Sequence, residues 1–175
     1  MKIRFFIIFL TAANYLSATA QPSLKQQLDK ELVFGKGYTM KLYKLNTGNL
    51  CEQEKAVAIM YNGMLSSCFD YVRNISPDTA RKIIKLIRTP TTYGGRYPFC
   101  FYTDYALLIT NAKNEVCSYV SVSFNCNQLI PYPGVKEQEV LSKGELHLFG
   151  FSKKGYTSLA RLLLLEKEVG LVWEH

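Results

Sequence analysis

Histidine is nearly missing from this chain. Only His147 and the terminal His175 occur in 175 residues. That is too few for an imidazole-built zinc site, and a Ser-His or Cys-His pair would have to use His147, which sits between two leucines. No two cysteines have the C-x-x-C spacing of a thioredoxin-like centre or a zinc ribbon. None lies in residues 1–50, which excludes a lipid carried on an N-terminal cysteine. There is no run of five like charges and no nucleic-acid recognition motif. Internal repeats and low-complexity segments are missing as well. No apolar run reaches the ~20 residues that cross a bilayer. Together these absences remove the motifs that would name a reaction, a cofactor, a metal or a nucleic acid.

What is present begins with an export signal. Lys2 and Arg4 precede an apolar run from Phe5 to Ala13, and Ser17-Ala18-Thr19-Ala20 offers a small-x-small cleavage site. Residues 1–20 are therefore expected to be a signal peptide and 21–175 one domain, large enough for a real core. The leader carries two of the 21 basic residues and none of the 14 acidic ones, so the mature chain keeps a net charge of +5. The product is expected to be periplasmic or extracellular, without a membrane span. All five cysteines (51, 68, 100, 117 and 126) remain, in a compartment that permits disulfides.

The chain is organised around residues 99–127. Two runs rich in aromatic and β-branched residues, Phe99–Thr110 and Val116–Cys126, flank a polar turn, which is the pattern of a β-hairpin. Val120, Val122 and Phe124 alternate with Ser121, Ser123 and Asn125, which predicts one apolar face for the second strand and one that is wet or near the edge. A three-residue turn at Ala112-Lys113-Asn114, with Asn114 left-handed, makes paired residue numbers sum to 226 and sets Cys100 opposite Cys126 as a cross-strand disulfide. A two-residue turn shifts the sum to 227 and puts the cysteines out of step. Cys117 falls on the other face by parity.

Upstream, Ser23 can cap a short helix with Leu24, Leu28 and Leu32 on one face. Tyr38–Leu45 reads as a strand. Ala56–Tyr61 reads as a strand covered on both faces, turning at Asn62-Gly63 into a return strand over Cys68–Ile75. Ser76-Pro77-Asp78 opens a helix whose buried stripe is Ala80, Ile83, Ile84 and Ile87, stopped at Thr89-Pro90. Tyr93-Gly94-Gly95-Arg96 reads as a loop. Ile130-Pro131-Tyr132-Pro133 cannot be an interior strand, because two prolines remove ladder donors. Leu146–Phe149 reads as a short edge strand. Ser152 caps a last helix, apolar almost all round through Leu165 and stopped at Gly170. Strands and helices do not alternate as β-α-β units, so the expected class is α+β, an antiparallel sheet built on the long hairpin with helices on one face.

Candidate site residues are few. Asp104 is the one acid in the aromatic-rich strand. Tyr93, Tyr97, Tyr102 and Tyr105 cluster at the hairpin entry and line either a binding surface or the core and its rim. Cys100, Cys126 and His147 could ligate a metal, but a structural disulfide with an unrelated histidine is the simpler reading. No cofactor is expected.

Cys100-Phe101, the Asn111–Asn114 turn, Phe124-Asn125-Cys126-Asn127 and Ser152-Lys153-Lys154-Gly155 follow one another in an order that resembles a group of small exported bacterial proteins of unknown function. The likeness covers roughly residues 56–170. Thr103-Asp104-Tyr105 stands where that group often carries a Pro-Arg-His-like triplet, and Ser123 where it has a further cysteine. The resemblance implies export and the fold, and assigns no activity. The function expected is a non-catalytic exported module binding a protein or another envelope component, of the inhibitor or immunity kind. The alternative is a small enzyme or redox protein using an unpaired cysteine with Asp104 or His147, and a third is a structural envelope component.

Overall fold

The structure is a computed structural model and describes residues 32, 34–46, 59–61, 64–95, 100, 102–142 and 145–169. The expected signal peptide, the helix expected after Ser23 and the turn expected at Asn62-Gly63 lie outside these residues, as do most of the Ala56–Tyr61 strand, Tyr97 and Cys51.

The chain forms β1 (Thr39–Leu45), β2 (Met60–Tyr61), β3 (Met64–Leu65), β4 (Phe69–Ile75), α1 (Pro77–Ile87) and a 3-10 turn at Pro90–Thr92. Next come β5 (Tyr93–Gly95), β6 (Tyr105–Thr110), β7 (Val116–Ser123) and β8 (Gln128–Tyr132). Beyond them lie β9 (Glu139–Ser142), β10 (Glu145–Leu148), β11 (Gly150–Phe151) and α2 (Lys153–Leu162). The main sheet has five antiparallel strands in the order β4-β1-β6-β7-β8, with the hairpin's first strand at its centre. The protein is α+β as its sequence indicates.

Helices cover one face. Ser76 Oγ accepts from the Thr79 amide and Pro77 opens α1 with its φ already fixed, so the helix starts where local chemistry places it. Ala80, Ile83 and Ile87 are fully buried against Met40, Leu42, Leu107, Ile109, Val120 and Val122. Ile84, expected in that stripe, is only half-buried at its edge. Helix α2 is capped by Ser152, whose Oγ accepts from the Gly155 amide and donates to the Thr91 carbonyl. Gly155 is required here, because a Cβ would lie 2.3 Å from the Thr92 carbonyl oxygen. The helix ends at Leu162, well before Gly170. Leu164 takes a left-handed φ of 52°, the Leu165 amide reaches back to the Ala160 carbonyl and the Leu164 amide to that of Arg161. This is a Schellman stop with leucine in the place glycine usually fills. Leu165 is buried, while Leu164 is 71% exposed rather than part of an all-round apolar helix.

The hairpin turn is the expected one. Asn114 has φ 63°, and the Asn111 amide pairs with the Glu115 carbonyl. Thr110 faces Val116, a sum of 226, but from Ile109↔Ser118 onward the sum is 227, because Cys117 is an extra residue in β7. The bulge thus joins the two registers that the turn alternatives offered. The ladder also ends earlier than expected: β6 begins only at Tyr105, and Phe124–Asn127 is a turn. Cys100 and Cys126 still bond, with Cα atoms 5.4 Å apart, but they join a loop to that turn rather than one strand to another. Closing this loop contributes roughly 3.5 kcal/mol in the chain-entropy model. Cys117 is free and exposed, and Cys68 is itself disulfide-bonded.

Three further expectations change. The second face of the hairpin is not wet: Ser121 is 8% exposed and Ser123 fully buried, beside Val120 and Val122 at 0%. Ile59 with Met60 and Leu65 of the β2–β3 hairpin packs over Ala106 and Leu108 there, giving the sheet a second apolar layer. Among the described residues, strand β4 pairs with β1, and Met60–Tyr61 pairs instead with β3. The Tyr93-Gly94-Gly95 loop is a short strand, β5, paired with β11. As expected, residues 128–132 are not an interior strand: they form β8 at the edge of the sheet, where Pro131 is tolerated.

Candidate functional site

The tyrosines singled out at the hairpin entry do not form one surface. Tyr93 is buried and its hydroxyl donates to the Ile87 carbonyl at 2.7 Å, closing the end of α1. Tyr105 is buried in an aromatic cluster whose hub is Phe124, flanked by Phe151 and Tyr156. Both belong to the core. Tyr102 is exposed.

Asp104 is engaged as a turn anchor. Its Oδ2 accepts from Ser123 Oγ (2.9 Å) and from the amides of Phe124 (2.9 Å) and Asn125 (3.2 Å), and Oδ1 accepts from Asn125 Nδ2 (3.4 Å). A carboxylate collecting several donors at the end of a strand holds the turn that carries Cys126. Asp104 and Cys117 sit at opposite ends of the ribbon, about 20 Å apart at roughly 3.3 Å per residue, so the structure does not bring Asp104 to the free thiol. His147 lies on β10, in the separate β9–β10 ribbon.

Beside Asp104 a shallow cleft of about 410 Å³ opens, lined also by Lys44, Tyr105, Phe124 and Glu168. Glu168 Oε2 accepts from Lys44 Nζ and from the Tyr105 hydroxyl, each at 2.9 Å. These two hydrogen bonds hold the Glu168 carboxyl below its ordinary range. The Tyr105 hydroxyl is pushed well above the ordinary tyrosine value, first by burial and then by the Glu168 carboxylate. The contact fixes the segment after α2 to the end of the sheet.

The larger feature is one the sequence did not reveal. Directly opposed residues share a face of the sheet. Tyr43 faces Tyr71 and Tyr119 faces Tyr132, all on the face away from the helices. The first pair meets edge to face, with centroids 5.7 Å apart, and the second stacks at 4.9 Å. Between the pairs the floor is Ala106, Leu108 and Ser121, covered by the β2–β3 hairpin. Tyr71 is 54% exposed, and Met64 on the covering hairpin 67%. Burial raises the Tyr43 and Tyr119 hydroxyls above their ordinary value, each helped by its paired tyrosine. Alternation placed Tyr43 and Tyr119 on strands, but only the register between strands shows that four tyrosines share a face.

Among the described residues no three His, Cys, Asp or Glu side chains gather as a metal site, and no helix is long and apolar enough to cross a membrane. Comparison with protein-family models, curated proteins and solved structures finds no match.

Proposed function

We propose that this protein is an exported, non-catalytic module that binds a protein partner through the tyrosine-bearing face of its sheet. The observation that carries this reading is the pair of tyrosine pairs, Tyr43–Tyr71 and Tyr119–Tyr132, mounted on paired strands of one sheet. Tyrosine brings a large, stiff contact area and a polar tip, and it is enriched where protein surfaces meet. Here the rings are fixed by strand pairing and ring contact before any partner arrives, which reduces the ordering cost of binding. Exposed Met64 beside them adds a side chain that adapts to irregular surfaces. The disulfides at Cys68 and at Cys100–Cys126 support export, since such bonds persist in oxidising compartments.

The experiment is capture of envelope proteins by the mature, oxidised protein in parallel with a Tyr71→Ala/Tyr119→Ala double variant. The expected result is a discrete protein held by the native chain and lost by the variant, with both chains melting cooperatively. Identical captured sets from the two chains would contradict the reading.

A further inference from the structure

The five-stranded sheet has two edges of different character. Edge strand β8 contains Pro131, which has no amide to donate. Edge strand β4 is seven residues long and carries no proline. Beyond its ladder with β1, the only main-chain bond recorded for it among the described residues runs from the Phe69 amide to the Ser66 carbonyl. Its middle is open, with Tyr71 54% and Val72 43% exposed and Asp70 exposed beside them. Among the described residues the outer amides and carbonyls of β4 have no ladder partner, and such an edge, bearing exposed Tyr71 and Val72, is a template for another strand.

Two features select which strand. Val72 is a bulge residue: Leu42 faces Arg73 and Tyr43 faces Tyr71, so Val72 has no partner on β1. A bulge increases local twist and turns an edge away from chance partners, but a second copy carries the same bulge and the same twist. The charges are also self-complementary. Asp70 opposes Lys44 and Arg73 opposes Leu42, so both lie on the helix-bearing face. They are symmetric about the midpoint between Tyr71 and Val72.

We propose that two copies of this chain pair antiparallel along β4 about a two-fold axis between Tyr71 and Val72. Each Asp70 then stands opposite the partner's Arg73, at both ends of a self-complementary contact. The result is one continuous ten-stranded sheet. Because a two-fold axis normal to the sheet preserves its faces, the two tyrosine faces join side by side. The pairing stands apart from the partner binding proposed above, since it concerns the strand edge and its test reads only self-association.

The test is sedimentation of the mature, oxidised protein over a concentration series. The native chain is expected to dimerise reversibly. Asp70→Arg and Arg73→Asp, each setting like charges opposite one another, are expected to weaken the dimer about tenfold or more, and the double reversal to restore it to within about threefold. Arg73 also donates to the Leu163 carbonyl, so amide exchange provides a second readout that leaves Arg73 in place. In the native chain, protection of residues 69–75 is expected to rise with protein concentration while β8 stays unchanged. A native chain that remains monomeric at high micromolar concentration overturns the proposal, as does a double reversal no tighter than the single ones. A monomer that instead gains β4 protection from an extended peptide would give this edge to a foreign strand, and would likewise overturn it.

Discussion

Asp104 looked like a candidate acid because it is the one charge in an aromatic strand, and its actual work is visible only from its partners. Three donors on Oδ2 and a fourth on Oδ1 make it the anchor of the Phe124–Asn127 turn. Asp104→Ala should therefore cost about 2–3 kcal/mol of stability, the scale of lost charge-assisted hydrogen bonds; an unchanged urea midpoint would contradict that role. Tyr93 and Tyr105 make a second prediction at this scale. Burial is the leading cause raising both hydroxyls above the ordinary value near 10. A raised folded value means that the neutral form is favoured in the native state. Its contribution is fully present below about pH 10 and is lost as pH rises toward the folded values. Thermal melts should accordingly fall off above about pH 10, and Tyr93→Phe should flatten that fall. A flat alkaline limb in the native chain would show that these hydroxyls ionise as readily folded as unfolded. Burial of Tyr93 could not be read from Tyr93-Gly94-Gly95, because it depends on β11 crossing close enough that a Cβ on Gly95 would lie 1.7 Å from the Phe151 carbonyl oxygen.

Elements whose ends are set by local chemistry were legible, and those set by distant chain were not. Ser76-Pro77-Asp78 and Ser152 place both helix starts, and Asn114 places the hairpin turn. The end of α2 escaped because its stop uses leucine at the left-handed position, so the sequence points on to Gly170. A side chain at φ 52° is strained, and Leu164 is 71% exposed with little packing to lose. Leu164→Gly should thus stabilise the protein by about 1 kcal/mol, and a lowered melting temperature would contradict the Schellman assignment. In α1 three residues of the expected stripe, Ala80, Ile83 and Ile87, are buried, while the fourth, Ile84, is only half-buried at its edge. Ile83→Ala should cost about 2–5 kcal/mol and Ile84→Ala clearly less; equal losses would mean that Ile84 is as deeply packed. The register of β6 against β7 was legible only in part. The turn fixes 226 at its own end, and the Cys117 bulge, which no turn residue announces, moves the rest to 227. The disulfide forms all the same, because the ladder stops before reaching it and a loop can make up the offset.

For the whole molecule, the α+β class and helices on one face followed from patterning, whereas the candidate site did not. The hairpin-entry tyrosines divide between core and surface, and the face with four tyrosines emerges from the pairing of β1 with β4 and of β7 with β8. It also depends on the small β2–β3 hairpin that covers the floor between them. We propose that this face, and not the hairpin entry, meets the partner. Tyr71 and Tyr102 are comparably exposed, at 54% and 41%, and sit on the two competing surfaces. Mild iodination of the oxidised protein, alone and saturated with its captured partner, with each tyrosine followed by peptide mass mapping, separates the two surfaces. Tyr71 is expected to become protected on binding while Tyr102 stays reactive; protection of Tyr102 with Tyr71 still fully reactive would place the partner at the hairpin entry instead.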